Sequence, residues 1–228
     1  MVTVERISDT MQRLICADGK EITLIGTAHV SQDSVDEVAR AIDEIGPDRI
    51  CVELDEGRYR SRTEKQNWEN LNIKTILKEN KGFLMLANMA LSSYQKKLGE
   101  QMGVSPGDEI MRAATLATER NIPLSLCDRE IQVTFKRAWR LSNGWNKIKL
   151  ISSLLSAVFS DEKISNEELE KLKETNVLQS MLDEMAKELP SIKRVLIDER
   201  DQFLASKIYA AEGERIVAVV GAGHAPGL

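Results

Sequence analysis

The amino-acid sequence predicts an α/β fold: a mostly parallel central sheet flanked by helices, with an N-terminal hairpin and helical insertions. Three observations predict it. Two apolar runs flank the turn Asp18-Gly19, which is a strong hairpin signal. An amphipathic helical segment then separates two short apolar runs, the spacing that builds a parallel sheet. Two further short apolar runs, at 123–127 and 215–220, each follow a helical stretch.

Taken in order, 12–17 and 21–26 form the arms of the hairpin. Residues 31–45 place Val35, Val38, Ala39, Ile42 and Ile45 at helical spacing, and Gly46-Pro47 ends that helix. The run 49–54 suits a buried parallel strand with Glu53 near its carboxyl end. Helices are expected over 107–120 and 191–211, ahead of the strands 123–127 and 215–220. Ser105-x-x-Asp108 and Ser165-x-x-Glu168 have the spacing of capping boxes and mark helix starts. The stretches 71–103 and 141–190 are helical by pattern and read as insertions in a single domain covering 1–228. Within them, the apolar runs 83–91 and 150–159 either pack in the core or form a homodimer contact.

Composition narrows the function. A net charge of -5 over 228 residues argues against nucleic acid as a partner, because such binding rests on many Lys and Arg contacts to phosphate. The opening residues MVTVERISDT lack the basic and apolar regions of a secretory signal. No stretch reaches the roughly 18 uncharged apolar residues of a membrane span. The expectation is a soluble domain on the cytoplasmic side. Cys16, Cys51 and Cys127 are odd in number and show no CxxC spacing, so buried, reduced thiols are expected.

Candidate chemistry gathers at the expected carboxyl ends of the strands, where parallel sheets bind ligands. The chain has two histidines, and both follow an apolar strand in the context Gly-x-x-His: Gly26-Thr27-Ala28-His29 and Gly221-Ala222-Gly223-His224. Histidine is the commonest metal ligand and a proton carrier near neutral pH, although a single histidine after a strand also serves as a hydrogen-bonded turn residue. Glu53 would be costly to bury ionised and unpaired, so it is salt-bridged or part of a site. Asp128-Arg129 reads as an ion pair, a helix cap or a site element. Glu109 follows Pro106-Gly107 at a helix start, where the dipole favours an acid. Arg200, within Glu199-Arg200-Asp201, reads from spacing alone as part of a solvated helix face. Gly221-x-Gly223 does not complete a dinucleotide fingerprint, since Pro226 stands at the third glycine position.

Several separated motifs appear in an order that resembles the TraB family: Gly26-Thr27-Ala28-His29-Val30-Ser31, Val52-Glu53-Leu54-Asp55, Arg58-Tyr59, Pro106-Gly107-Asp108-Glu109, Cys127-Asp128-Arg129, Thr134 with Lys136-Arg137-Ala138-Trp139, Glu199-Arg200-Asp201 and Val220-Gly221-Ala222-Gly223-His224. That family includes pheromone-shutdown proteins and resembles the Tiki metalloproteases. The resemblance implies a divalent metal, Mn or Co first and Zn next, held by His29, His224 and Glu53. It implies catalytic roles for Glu53, Glu109 and Arg200, with Arg200 facing a developing oxyanion. Gly26, Thr27, Arg58, Asp128, Arg129, Arg137, Gly221 and Gly223 would then line the substrate. The reaction implied is hydrolysis of a peptide or protein segment. The rival is a peptide-binding, pheromone-sequestering domain without catalysis. Relatives often continue into hydrophobic segments, so a parent protein anchored in a membrane through a further C-terminal region is also implied.

Overall fold

The computed structural model describes residues 2–27, 32–63, 86–87, 89–90, 92–93, 107–159 and 190–228. Its centre is a six-stranded sheet made of β1 (Thr3–Arg6), β2 (Met11–Ile15), β3 (Glu21–Thr27), β4 (Arg49–Val52), β5 (Leu124–Leu126) and β6 (Arg215–Gly221). The strand order is β1-β2-β3-β6-β4-β5. The first three strands pair antiparallel, and β3, β6, β4 and β5 run parallel. The expected hairpin is therefore β2–β3, with Gly19 at φ 88° in its turn, a conformation glycine adopts without steric cost.

Both faces of the parallel region are covered, which explains its continuous apolar runs. One face buries Ile25, Ile50, Val52, Val217 and Val219 against α1 (Gln32–Ile45) and α3 (Asp108–Glu119), through Val38, Ile42, Ala113 and Leu116. The opposite face buries Ile22, Leu24, Cys51, Ile216, Ala218 and Val220 under Leu204 and Ile208 of α7 (Glu199–Ala210). The alternation of 217 and 219 with 216, 218 and 220 is the two-residue strand period. All three cysteines are free and buried.

The remaining described helices are α2 (Glu56–Thr63), α4 (Ile131–Leu141), α5 (Gly144–Phe159) and the short α6 (Pro190–Lys193). A π-helical turn, Arg194–Asp198, joins α6 to α7. A small satellite core of Ala138, Ile192 and Val195, flanked by Leu150 and Leu196, ties α4 and α5 to that turn. Among the described residues no helix is long and apolar enough to cross a membrane.

Two expectations change. β1 adds a third antiparallel strand; its four residues are all exposed, so no burial pattern marked it. α3 begins after Gly107, at φ 86°, so Asp108 and Glu109 both lie in its first turn, while Ser105 of the capping box expected at Ser105-x-x-Asp108 lies outside the described residues. The charged helix carrying Arg200 is not a solvated face, as the site shows. Ser165, most of the 71–103 insertion and 160–189 of the second lie outside the described residues.

Leu204, fully buried where α7 covers the sheet, tests this packing. Leu204→Ala is expected to lower the unfolding free energy by about 2–5 kcal/mol, measured by urea denaturation. A loss well under 1 kcal/mol, on that same scale, would mean that α7 does not seal this face.

Candidate functional site

The four parallel strands end on one rim. Thr27 of β3 stands opposite Gly221 of β6, and Val52 of β4 opposite Val219. The next residue, Glu53, donates its amide to Val219 O at 3.0 Å, so it leaves the ladder beside the end of β6. Glu53 Oε2 accepts the Gly221 N–H at 2.7 Å. A Cβ on Gly221 would lie 3.3 Å from that oxygen, so glycine allows the close approach. Glu53 Oε1 accepts from Arg200 Nη2 at 2.5 Å and lies 3.4 Å from His224 Nε2.

Arg200, from the first turn of α7, holds two carboxylates. Its Nη2 also donates to Asp128 Oδ2 at 2.6 Å and its Nε to Asp128 Oδ1 at 3.2 Å. Arg58 Nη2 donates to Asp128 Oδ2 as well. Asp128, just past β5, has a fully buried side chain. Burial by itself raises its carboxyl, but the hydrogen bond and charge of Arg200, with the charge of Arg58, outweigh that effect and hold its pKa below the ordinary aspartate value. Burial likewise works against the Arg200 guanidinium, yet Asp128 and Glu53 raise its pKa overall. Arg58 is fixed in turn by Asp55, whose Oδ2 accepts from Arg58 Nε at 2.6 Å and whose Oδ1 accepts the Arg58 amide at 2.9 Å, capping the first turn of α2.

His224 closes the rim. Its amide donates to Gly221 O at 2.9 Å, and Ala222 N donates to Thr27 O at 2.8 Å. The turn around Gly223 thus folds back on β3. The imidazole is buried, with Nδ1 2.5 Å from Asp201 Oδ1. A carboxylate at Nδ1 favours a proton there, and Nε2 faces Glu53 Oε1 on the other side of the ring. The short 3₁₀ turn Ala225–Gly227 lies over this pair. A Cβ on Gly227 would collide with Asp201 Oδ2, and one on Gly26 would fall 2.9 Å from Ala225 Cβ. Both glycines are therefore required by close packing.

Glu109 enters from the first turn of α3. Thr27 Oγ1 lies 3.3 Å from its Oε1 and 3.2 Å from Val220 O, so the one hydroxyl proton is shared between these two acceptors. Glu109 is buried, and among the described residues its Oε2 has no hydrogen-bond partner. Burial raises the Glu109 carboxyl above its ordinary value, against the weaker opposing hydrogen bonds of its own backbone and Thr27. An orphaned buried carboxyl oxygen of this kind suits proton transfer or contact with a ligand.

Arg129 and Arg137 belong to an adjoining cluster. The Arg129 amide donates to Asp128 Oδ1 at 2.7 Å, but its guanidinium turns to Thr134 Oγ1, Glu199 Oε2 and Val195 O. Arg137 makes two 2.7 Å bonds to Glu199. The hydrogen bonds of Arg137 and then Arg129, helped by their charges, outweigh burial and hold the Glu199 carboxyl down at about 2. The π turn matters here, because Val195 O accepts from Arg129 and Leu196 O from Arg200 Nη1 at 3.4 Å. A π turn displaces the helical hydrogen-bond ladder, and its carbonyls serve the arginines.

Thus Glu53, Arg58, Asp128, Arg200, Gly221 and His224 meet at one rim, with Thr27 and Glu109 beside them and Arg129 and Arg137 one layer away. His29 lies outside the described residues. Asp201 and Asp55 were missed as site residues. Both stand inside quoted motifs, yet neither spacing nor hydropathy singles them out. Among the described residues, no three His, Cys, Asp or Glu side chains form a metal-ligand group.

These features define a three-layer α/β domain with a buried, charge-dense crevice at the carboxyl edge of its parallel strands. The chain belongs to the TraB/PrgY/gumN family, which it matches over residues 13–228. It is 35% identical over 211 residues to an uncharacterized protein of Methanocaldococcus jannaschii, covering 91% of this chain and 52% of that protein. It is 31% and 30% identical to TraB domain-containing proteins of Bos taurus and Homo sapiens, covering 96% of this chain and 64% of each. The chain therefore spans about half to two thirds of the length of these relatives.

Two predictions follow from the geometry. Arg200→Met leaves Glu53 and Asp128 without their shared cation and is expected to cost about 3–5 kcal/mol, with part recovered when Glu53→Gln and Asp128→Asn are added; chemical denaturation measures both. For Glu109, the unfolded carboxyl ionises near 4.5 and the folded one at higher pH, so stability falls as pH rises from 4.5 through the folded value. Glu109→Gln is expected to melt above the wild type beyond that window. The difference should shrink below pH 4.5, as calorimetry across pH would show.

Proposed function

We propose that this domain is a divalent-metal-dependent hydrolase acting on peptides or protein segments, with its centre at the His224 and Glu53 rim. The carrying observation is a buried imidazole whose Nδ1 is held by Asp201 while Nε2 faces Glu53 Oε1 at 3.4 Å. A carboxylate behind a histidine is the usual support for a metal-binding nitrogen.

Charge supports the same reading. The crevice gathers four carboxylates, from Glu53, Asp55, Asp128 and Asp201, around two guanidinium groups, from Arg58 and Arg200. Buried excess negative charge favours a cation. Imidazole with carboxylate suits Mn, Co or Zn. His224 and Glu53 would hold the ion, with His29 of the first Gly-x-x-His motif as the third donor. The ion, when bound, supplies Lewis acidity and lowers the pKa of a bound water.

The other residues have separate tasks. Asp201 sets the tautomer and orientation of His224. Arg200 offsets the charge of Glu53 and fixes its position, since its donors go to Glu53, Asp128 and Leu196 O. Glu109, kept in its neutral form over a wider pH range by burial, offers a proton at Oε2 for a leaving group. Thr27 links Glu109 to the end of β6.

Metal analysis of the purified protein tests the reading. The expected result is stoichiometric Mn or Co after reconstitution, lost in His224→Ala and in His29→Ala, with peptide cleavage abolished by chelator and by both substitutions. Peptide bound intact, with an affinity indifferent to chelator, would replace catalysis with sequestration.

A further inference from the structure

Outside the buried charge cluster, α4 and α5 carry an unusual combination of charge and hydropathy. Residues 131–159 contain Lys136, Arg137, Arg140, Lys147 and Lys149 and no Asp or Glu, in a chain of net charge -5. Arg137 is taken up by Glu199, and Lys147 lies 5.1 Å from the centre of the Trp139 ring. Lys136, Arg140 and Lys149 remain exposed.

The outward side of α5 is apolar. Trp145, Ile148 and Phe159 are 66%, 60% and 76% exposed, and Leu155 also lies in the exposed range. At ~100° per residue these four fall within an arc of about 80°. Leu150, on the other side of the helix, packs toward the satellite core of Ala138, Ile192 and Val195. The helix thus has an inner apolar side packed on that satellite core and an outer apolar side exposed among the described residues, with Lys149 on the edge of the outer side at ~100° per residue.

We propose that this face docks on an anionic phospholipid surface, with α5 lying in the plane of the interface. The residue types fit that environment: Trp145 at the helix start, bulky aliphatic and aromatic groups along one stripe, and basic side chains within reach of phosphate. The 16 described residues make a helix of about 24 Å against a hydrocarbon thickness of roughly 30 Å, and among the described residues no helix is long and apolar enough to cross a membrane. A symmetric second copy fits poorly, because a two-fold contact sets the same basic, acid-free patch against itself.

The test is sedimentation of the full 228-residue chain with vesicles of phosphatidylcholine alone or mixed equally with phosphatidylglycerol. The chain is expected to bind the mixed vesicles and not the neutral ones. Binding should fall about tenfold or more in Lys149→Glu combined with Arg140→Glu, and similarly in Trp145→Ser combined with Phe159→Ser, with melting temperatures unchanged. Equal behaviour toward both vesicle types, or binding that survives both double variants, overturns the proposal. A dimer in light scattering that dissolves in Trp145→Ser with Phe159→Ser would assign the face to a second copy instead. A large drop in melting temperature without vesicle binding would assign it to the protein's own interior.

Discussion

The arrangement of the crevice depends on one buried cation shared by two anions. Arg200 reaches from α7 to Glu53 at the end of β4 and to Asp128 beyond β5, so a single side chain ties two strand ends to the helix that covers them. Water is largely excluded, and each charge would be costly alone. Their mutual satisfaction is what allows so many ionisable groups to occupy one edge of the sheet. Arg58 strengthens the same arrangement from α2, and Asp55 holds Arg58 in place.

The sheet order gives this interaction its geometry. Because β6 lies between β3 and β4, the motif that ends the last strand meets the residue that leaves the fourth. The Gly221 amide and His224 ring therefore reach Glu53, although well over a hundred residues separate them in sequence. Thr27 brings Glu109 to the neighbouring strand end in the same way.

Much of the fold was legible because burial imposes a pattern. The runs 49–52 and 215–220 are apolar on both faces, as strands covered on both sides must be, and α1 shows its helical period. β1 was not legible, since Thr3–Arg6 is an edge strand with all residues exposed. The insertion of β6 between β3 and β4 leaves no local mark. In the site, Glu53 stood out as an acid in an apolar strand, and His224 through its repeated motif context. Asp201 did not, because Glu199-Arg200-Asp201 resembles the charged surface of any solvated helix. Its burial follows from tertiary packing and from the π turn, neither of which has a hydropathy signature.

That π turn, Arg194–Asp198, holds one more residue per turn than an ordinary helix. Its effect is one of phase: every side chain after it is rotated relative to those before it, by roughly 100° for one residue. Glu199, Arg200 and Asp201 meet their partners in this displaced phase. A single-codon deletion within the turn would rotate Arg200 relative to Glu53 and Asp128 by roughly 100° while leaving all three of those charged side chains in the sequence. For this domain, the integrity of the site is as much a matter of the reading length of one helix as of the identity of its charges.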